Sequence, residues 1–192
     1  MIATLAAGFF GLDILLLLSF QLLNRDYGLF GHAVSDYGVG RTAGLFRAYV
    51  TVGSLAAPLL GYLFWQSQDP VYPRAIPVYL ALMAAARVVV GLYPNDLRGQ
   101  PRTPAGHVHH AATLVAFTTA YLTIAEATPL LVATSPLGEV LEWVKHCFSL
   151  GFFAVVLTIS PQLRPWFGLA ERVFLYSCAL WFLCVALSFG GV

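Results

Sequence analysis

Residues 91–117 read GLYPNDLRGQPRTPAGHVHHAATLVAF, and this stretch shows how the chain is built. An apolar run ends in Pro-Asn-Asp, a short loop of arginine, proline and glycine follows, and a second apolar run opens with three histidines. Thr103 followed by Pro104 is typical of a helix N-cap with proline at the first helical position. The stretch therefore predicts two apolar helices joined by a tight polar turn.

The composition places these helices in a membrane. Of the 192 residues, 59% are hydrophobic and only 10% are charged, and the mean hydropathy is +0.77. A soluble domain carries about 25% charged residues. The apolar runs are too long for barrel strands, which need roughly 9–11 alternating residues. A net charge of +1 without a basic cluster gives no reason to expect nucleic acid as a partner.

Six apolar stretches are long enough to cross the hydrocarbon core, which takes about 20 residues. We predict helices over residues 2–23, 45–65, 75–93, 105–132, 140–159 and 169–189. The breaks between them are short and rich in turn-forming residues. The sequence therefore predicts an all-α fold, a polytopic transmembrane bundle of six helices in a single domain over residues 1–192.

The distribution of arginine predicts the direction of the chain. The connections after helices 1, 3 and 5, with their flanks, hold Arg25, Arg41, Arg47, Arg98, Arg102, Arg164 and Arg172. The opposite side holds only Arg74 and Lys145. Because positively charged loops stay in the cytoplasm, both termini are expected on the non-cytoplasmic side.

Two polar loops are then expected at the cytoplasmic membrane edge. One is the glycine-rich stretch GHAVSDYGVG, which contains Ser35, and the other carries Asp96 and the three histidines. His107 and His110 are three residues apart and share a helix face. With Asp96 and a water they would match the three-ligand stoichiometry of a zinc site. The alternatives are a metal-free acid/base site, and a structural role in which Asp96 caps a turn and the histidines face headgroups.

Two charges lie inside predicted spans. Asp13 in helix 1 and Arg87 in helix 3 are each about eleven residues from the same membrane face. Because neither charge is stable alone in hydrocarbon, we expect an Asp13–Arg87 ion pair. We interpret the pair as structural, with a proton or anion relay as the alternative. Nearer the non-cytoplasmic side, Glu126 of helix 4 is expected to join a charge network with helix 5.

Three stretches carry a resemblance to a known family: VSDYG at 34–38, GLYPND with TPAGHVH within 91–109, and GLAERVFLYSCALWF at 168–182. Over nearly its whole length the chain resembles the prokaryotic membrane proteins grouped as domain of unknown function 998. The resemblance implies six to seven transmembrane helices, a prokaryotic cytoplasmic (inner) membrane location, and polar family positions at Ser35, Asp96, His109 and Arg172. We take the first three as candidate catalytic residues. The family carries no established activity.

A more distant similarity links the S-D-x-G loop and the start of helix 4, from His110 to Phe117, to the Frag1/DRAM/Sfk1 group, which includes a lipid-remodelling factor. The serine, aspartate and histidine inventory also resembles that of transmembrane hydrolases typified by alkaline ceramidase. Those enzymes end in a C-terminal HxxxH motif, whereas helix 6 of this chain has no histidine.

Two classes of function follow. The first is a membrane enzyme acting on a lipid or another amphiphile, as a zinc-dependent hydrolase would, with Arg98 and Arg102 binding a phosphate headgroup. The alternative is a non-catalytic subunit or lipid-binding scaffold that associates with other membrane-protein subunits. Membrane lipids are expected partners in both cases.

Overall fold

The structure is a computed structural model that describes residues 1–23, 27–68 and 70–191. Its long helices are α1 (Ile2–Leu23), α2 (Ala43–Gln66), α3 (Ala75–Leu92), α4 (Pro104–Thr134), α5 (Gly138–Leu157) and α6 (Phe167–Phe189). Short 3₁₀ helices lie in the connections at Val34–Gly38, Gly40–Thr42 and Arg164–Trp166. The described residues contain no β-strand, and the predicted all-α fold with six membrane-spanning helices is confirmed.

The outer surface of the bundle is apolar. Each long helix has the length and hydropathy needed to cross a membrane. More than half of the side-chain surface is exposed at Leu15, Val78, Leu114 and Leu150. Such a surface is stable in hydrocarbon rather than in water, so the chain is an integral membrane protein. The side on which the termini lie stays a prediction, and Arg25, which contributes to it, lies outside the described residues.

The predicted helix bounds agree with the observed ones to within two residues. α4 begins at Pro104, and the Thr103 hydroxyl accepts a hydrogen bond from the Gly106 N–H at 3.0 Å. The predicted N-cap is therefore confirmed. A helix cap depends on residues next to each other in the chain, so the start of α4 can be predicted from the sequence.

The helices form a ring in chain order: each packs against the next, and α6 closes against α1. Small residues on α2 allow a close approach to α3. A Cβ at Gly61 would lie 3.6 Å from the Leu80 Cβ, and the Cβ position at Gly53 is occupied by the Arg87 guanidinium. At the closing seam the rings of Phe10 and Phe182 stack with centroids 5.3 Å apart. The ring therefore has a packed wall and an axis that side chains must fill.

The chain order puts the α1–α2, α3–α4 and α5–α6 connections at one end of the ring, which we call the histidine end. These connections meet there: a Cβ at Gly31 would lie 3.6 Å from Arg98 Nη1 and 3.7 Å from the Pro165 carbonyl oxygen. Both termini and the other two connections lie at the opposite end. The two polar loops expected at one membrane edge thus share one end of the structure.

The first turns of α6 anchor the α1–α2 connection. The Gly168 N–H donates to the Phe30 carbonyl at 2.6 Å. Arg172 is only 4% exposed, and its Nη1 donates to the carbonyls of Leu29 and His32 at 3.0 and 2.7 Å. Arg172, which matched a family position by resemblance, therefore holds a loop in place through backbone carbonyls.

Candidate functional site

A polar pocket of about 380 Å³ opens at the histidine end. Its walls come from all three connections and from the first turns of α4 and α6. They comprise Gly31, Ala33, Ser35, Asp36, Asn95, Asp96, Arg98, Arg102, His109, His110, Thr113, Thr158, Ile159, Arg164, Phe167 and Glu171. Most of the site residues predicted for this edge are thus brought together, whereas His107 is exposed and is not part of the wall.

Asp96 is bonded to the start of α4. Its Oδ2 accepts from the Thr103 N–H at 2.8 Å, and its Oδ1 accepts from the Thr103 hydroxyl at 2.8 Å. The carboxylate also occupies the position that a Cβ would need at Gly106. The Thr103 N–H, helped by the Thr103 hydroxyl, holds the pKa of Asp96 below its usual range. Asp96 is therefore an ionised group that braces the N-cap of α4, with both oxygens engaged.

His109 is the histidine that faces the interior. It is 1% exposed, and its Nδ1 lies 2.8 Å from the Tyr93 carbonyl oxygen. Because a carbonyl oxygen only accepts, Nδ1 carries the proton of the neutral ring and Nε2 keeps its lone pair. The His110 ring packs edge-on against it, with centroids 5.8 Å apart. The arrangement orients an imidazole with one nitrogen left for a proton or a ligand.

The residues predicted to hold zinc do not fit a zinc site. His107 is exposed, and both oxygens of Asp96 are bonded to Thr103. Within residues 1–23, 27–68 and 70–191, no group of three or more His, Cys, Asp or Glu side chains is placed to hold a metal ion. The shared face of His107 and His110 is an exposed face of α4, and Asp96 turns toward the helix cap instead.

Asn95 links the first polar connection to the second. Its Nδ2 donates to Ser35 Oγ at 3.1 Å and to Asp36 Oδ1 at 2.9 Å. Asp36 Oδ2 accepts from the Ala33 N–H at 3.0 Å and so caps the short helix Val34–Gly38. Burial raises the pKa of the Asp36 carboxyl, and the hydrogen bonds from Ala33 and Asn95 oppose that rise. Ser35 accepts one hydrogen bond here and keeps its own hydroxyl proton for another partner.

An apolar cavity inside the bundle adjoins the polar pocket. The space open to water-sized molecules measures about 60 Å³. Its walls are mostly aromatic and aliphatic, and they include Phe46, Met83, Val90, Ala116, Phe117, Ala120, Phe174 and Leu175. Ser35, Thr113 and Glu171 line both the pocket and the cavity, so the two spaces meet at these residues.

Sequence reasoning missed Glu171 and Asn95. Glu171 is 4% exposed, and its Oε2 accepts from the Val34 N–H at 2.6 Å. A glutamate inside an apolar segment is expensive in a membrane and marks a site by itself, so the signal was present. Asn95 lies in a Pro-Asn-Asp sequence. Asparagine is common in turns, so its type and position give no sign that it also bridges two connections.

The mid-membrane charges are in contact. Arg87 Nη2 lies 2.7 Å from Asp13 Oδ1. Arg87 also donates to the Tyr49 carbonyl at 3.1 Å, and its guanidinium lies over the Tyr49 ring, 4.7 Å from the centroid. It fills the Cβ position of Gly53, where α2 comes close to α3. Arg87, but not Asp13, also lines the apolar cavity.

Glu126 does not join α5 as expected. Its Oε1 accepts from the Tyr79 hydroxyl of α3 at 3.2 Å. Within the described residues no ion pair joins α4 to α5. The expectation was wrong because the face of α4 that carries Glu126 turns toward α3. The rotation of α4 about its own axis cannot be predicted from the sequence.

The fold and pocket define a class of protein: a polytopic helical membrane protein whose six-helix ring carries a polar site at one end. The chain belongs to the family described as Protein of unknown function (DUF998), whose profile matches residues 4–188. The resemblance inferred from three stretches of sequence is thereby confirmed over nearly the whole chain. No curated protein and no solved structure matches the chain. The similarity to the Frag1/DRAM/Sfk1 group stays a prediction.

Proposed function

We propose that this membrane protein binds an amphiphile with an anionic headgroup, the headgroup in the polar pocket and the hydrocarbon chain in the apolar cavity. The observation that carries the proposal is that these two spaces adjoin and share the wall residues Ser35, Thr113 and Glu171. An amphiphile is the class of ligand that needs a polar and an apolar compartment side by side. From the arginine bias we assign the pocket to the cytoplasmic leaflet of a prokaryotic inner membrane.

Three arginines supply the anion site. Arg98 and Arg102 come from the α3–α4 connection and Arg164 from the α5–α6 connection, and all three line the pocket. Among the residues that the structure describes, none of the three is paired with a carboxylate. Guanidinium groups bind phosphate and carboxylate oxygens in a bidentate way. An anionic headgroup would therefore bind guanidinium groups that form no ion pair with a described residue.

The apolar cavity suits the hydrocarbon chain of such a ligand. It extends from Ser35 at the histidine end to Arg87, in the second half of α3, and to Cys178, midway along α6. A chain in this space would lie roughly parallel to the helices and to the lipid tails of the same leaflet. Each buried methylene contributes about 0.8 kcal/mol relative to water, so the chain adds affinity that a free headgroup lacks.

Binding is tested by isothermal titration calorimetry of hexadecyl phosphate into the purified protein in a nonionic detergent. We expect the double variant Arg98→Gln/Arg102→Gln to bind at least about tenfold more weakly, because hydrogen bonds to charged groups contribute roughly 1.5–3 kcal/mol each. Arg47→Gln is the matched control, since Arg47 is exposed near the same end and does not line the pocket. An equal loss in the control, or no binding by the wild type, would refute the proposal.

The geometry of His109 favours a second candidate function, hydrolysis of the bound amphiphile. His109 Nε2 is the basic nitrogen of an oriented imidazole, and Ser35 has a free hydroxyl proton in the same pocket. In this scheme Nε2 takes the proton of Ser35, the Ser35 oxygen attacks the ester, and the imidazolium returns the proton to the leaving alcohol. Water then releases the product from Ser35 by the same steps. Asp96, predicted as catalytic, has no part in the scheme because it is bonded at the helix cap.

Hydrolysis is tested with an ester-linked hexadecanoyl-glycerol phosphate in micelles, with the products identified by mass spectrometry. Loss of turnover in both Ser35→Ala and His109→Gln, with binding of hexadecyl phosphate retained, would support the enzyme. Undiminished turnover in the two variants would exclude these residues as catalytic groups. Metal analysis of the purified protein tests the zinc prediction separately. Association with other membrane subunits also stays a prediction, and native mass spectrometry of gently solubilised membranes tests it.

A further inference from the structure

Glu171 is a buried carboxylate without a cationic partner in the described part of the chain. Its Oε2 accepts from the Val34 N–H at 2.6 Å, and no hydrogen bond from these described residues reaches its Oε1. The adjacent Arg172 turns away from it, and Arg172 Nη1 donates to backbone carbonyls instead. One oxygen of a buried acid is thus left to be satisfied by something that enters the site.

Glu171 stands at the junction between headgroup space and chain space. It lines the polar pocket on one side and the apolar cavity on the other. Arg98 and Arg102 lie in the connection outside the membrane-spanning helices. A ligand with its anionic group at these arginines and its chain in the cavity must place the atoms between them beside Glu171. A carboxyl oxygen that loses its contact with water needs a hydrogen-bond donor at that point.

The cavity in which the chain would lie is small. The space open to water-sized molecules is about 60 Å³, and by that measure one water takes about 10–15 Å³. The rings of Phe46, Phe117 and Phe174 close its sides. By that measure the space holds about four to six waters, so it admits the first few methylenes of one hydrocarbon chain and has no room for a second chain beside them.

We infer that the ligand is a single-chain amphiphile with an O–H or N–H donor between its chain and its anionic group. The inference rests on the proposed function and specifies the ligand of that same site. The donor bonds to Glu171 Oε1, the anionic group lies at Arg98 and Arg102, and the first methylenes of the chain fill the cavity. Two sources supply this donor chemistry, a glycerol hydroxyl or an amine on the chain.

The test compares ligands of equal chain length by calorimetry on the full-length protein in detergent. The donor-free ligand is hexadecyl phosphate, the hydroxyl ligand is an ether-linked hexadecyl-glycerol phosphate that cannot be hydrolysed, and the amine ligand is an amino-hexadecyl phosphate. We expect the wild type to bind at least one donor ligand about tenfold more tightly than hexadecyl phosphate. The donor ligand that gains identifies the source. Dihexadecyl-glycerol phosphate should bind more weakly than its single-chain counterpart, and glycerol phosphate without a chain should be weaker still.

The variant Glu171→Gln tests whether Glu171 Oε1 is the atom that binds the donor of the ligand. The glutamine oxygen can still accept from the Val34 N–H, so the anchor of the first connection is kept, while an NH₂ group replaces Oε1 at the junction. We expect this variant to lose the tenfold preference for the donor ligand over hexadecyl phosphate. A circular dichroism spectrum and a melting temperature equal to those of the wild type show that the variant is folded.

The outcomes separate the inference from the function on which it rests. If no phosphate amphiphile binds the wild type, the proposed function itself fails. If all single-chain ligands bind equally, the amphiphile site stands and the donor inference is overturned. A preference that persists in Glu171→Gln overturns the role of Glu171, and tight binding of the two-chain ligand overturns the single-chain limit. If Glu171→Gln does not fold, the comparison of ligands on the wild type still decides the ligand class.

Discussion

The Asp13–Arg87 ion pair should show strong coupling in a double-mutant cycle. Asp13 is 2% exposed, and its partner in the described structure is Arg87 Nη2 at 2.7 Å. Arg87 keeps the Tyr49 carbonyl at 3.1 Å and the Val50 carbonyl at 3.5 Å. Replacing either charged residue with leucine leaves the other charge without a counter-charge among apolar helices. Replacing both removes the problem, because only apolar side chains remain.

The expected magnitude follows from the burial of the pair. Removing one partner of a buried pair costs about 3–5 kcal/mol, so independent effects of Asp13→Leu and Arg87→Leu would sum to roughly 6–10 kcal/mol. We expect the double variant to lose no more than about 3 kcal/mol, which covers the lost packing against Tyr49 and the space beside Gly53. The coupling free energy is then at least about 3 kcal/mol.

The free energy of unfolding is measured by titrating the protein with sodium dodecyl sulfate in mixed micelles and following its circular dichroism. Glu142→Leu is the control, because Glu142 is exposed on α5 and is not ion-paired within the described residues. That change should stay within about 0.5 kcal/mol. Additive losses in the double variant, or single variants as stable as the double, would refute the reasoning.

Three further predictions concern the topology and the start of α4. A C-terminal reporter that is active only in the cytoplasm should stay silent because arginine concentrates at the opposite end, and a strong signal would reverse the assigned direction. Gly106→Ala should lower the free energy of unfolding by about 1–2 kcal/mol, since its Cβ displaces the Asp96 carboxylate from the cap. Gly44→Ala, with nothing within 4 Å of its Cβ position, should be neutral, and equal melting temperatures of the two variants would contradict this. The cap should also depend on pH: the pKa of Asp96 is lowered, so its contribution is present above the ordinary carboxyl pKa and is lost as the pH falls through the lowered value. Thermal unfolding from about pH 5 to pH 2 should show a smaller acid-induced loss in Asp96→Asn than in the wild type, and identical slopes would disprove the role of that carboxylate.

The fold could be predicted because its signals are local. Hydropathy over about 20 residues finds a membrane helix without any knowledge of its neighbours. The start of α4 is equally local, since Thr103 and Pro104 supply the cap and the first helical position by themselves. The depth of Asp13 and Arg87 follows from counting residues along helices of known rise. Each of these inferences needs no packing information.

The orientation of the histidines could not be predicted in the same way. The spacing of the histidines along the helix shows that His107 and His110 share a face and that His109 lies on another. It does not show which face turns toward the interior of the bundle. That choice depends on how α4 rotates against α3, and the rotation brings His109 to the Tyr93 carbonyl. The bonding partner of the Asp96 carboxylate could not be predicted for a similar reason. A carboxylate between a helix start and a cationic loop can bond to either of them. In the structure it accepts hydrogen bonds from the N–H and hydroxyl of Thr103.

The closure of the ring by α6 has a consequence for how the protein is made. Helices that enter the membrane in order can each pair with the one before, whereas α6 must also find α1, from the beginning of the chain. Gly168, Glu171 and Arg172 then fasten the first connection through Phe30, Val34 and their neighbours. Before that helix arrives, the headgroup pocket has neither its back wall nor a fixed first loop. On the proposed function, a nascent chain would bind no amphiphile until α6 has entered the membrane.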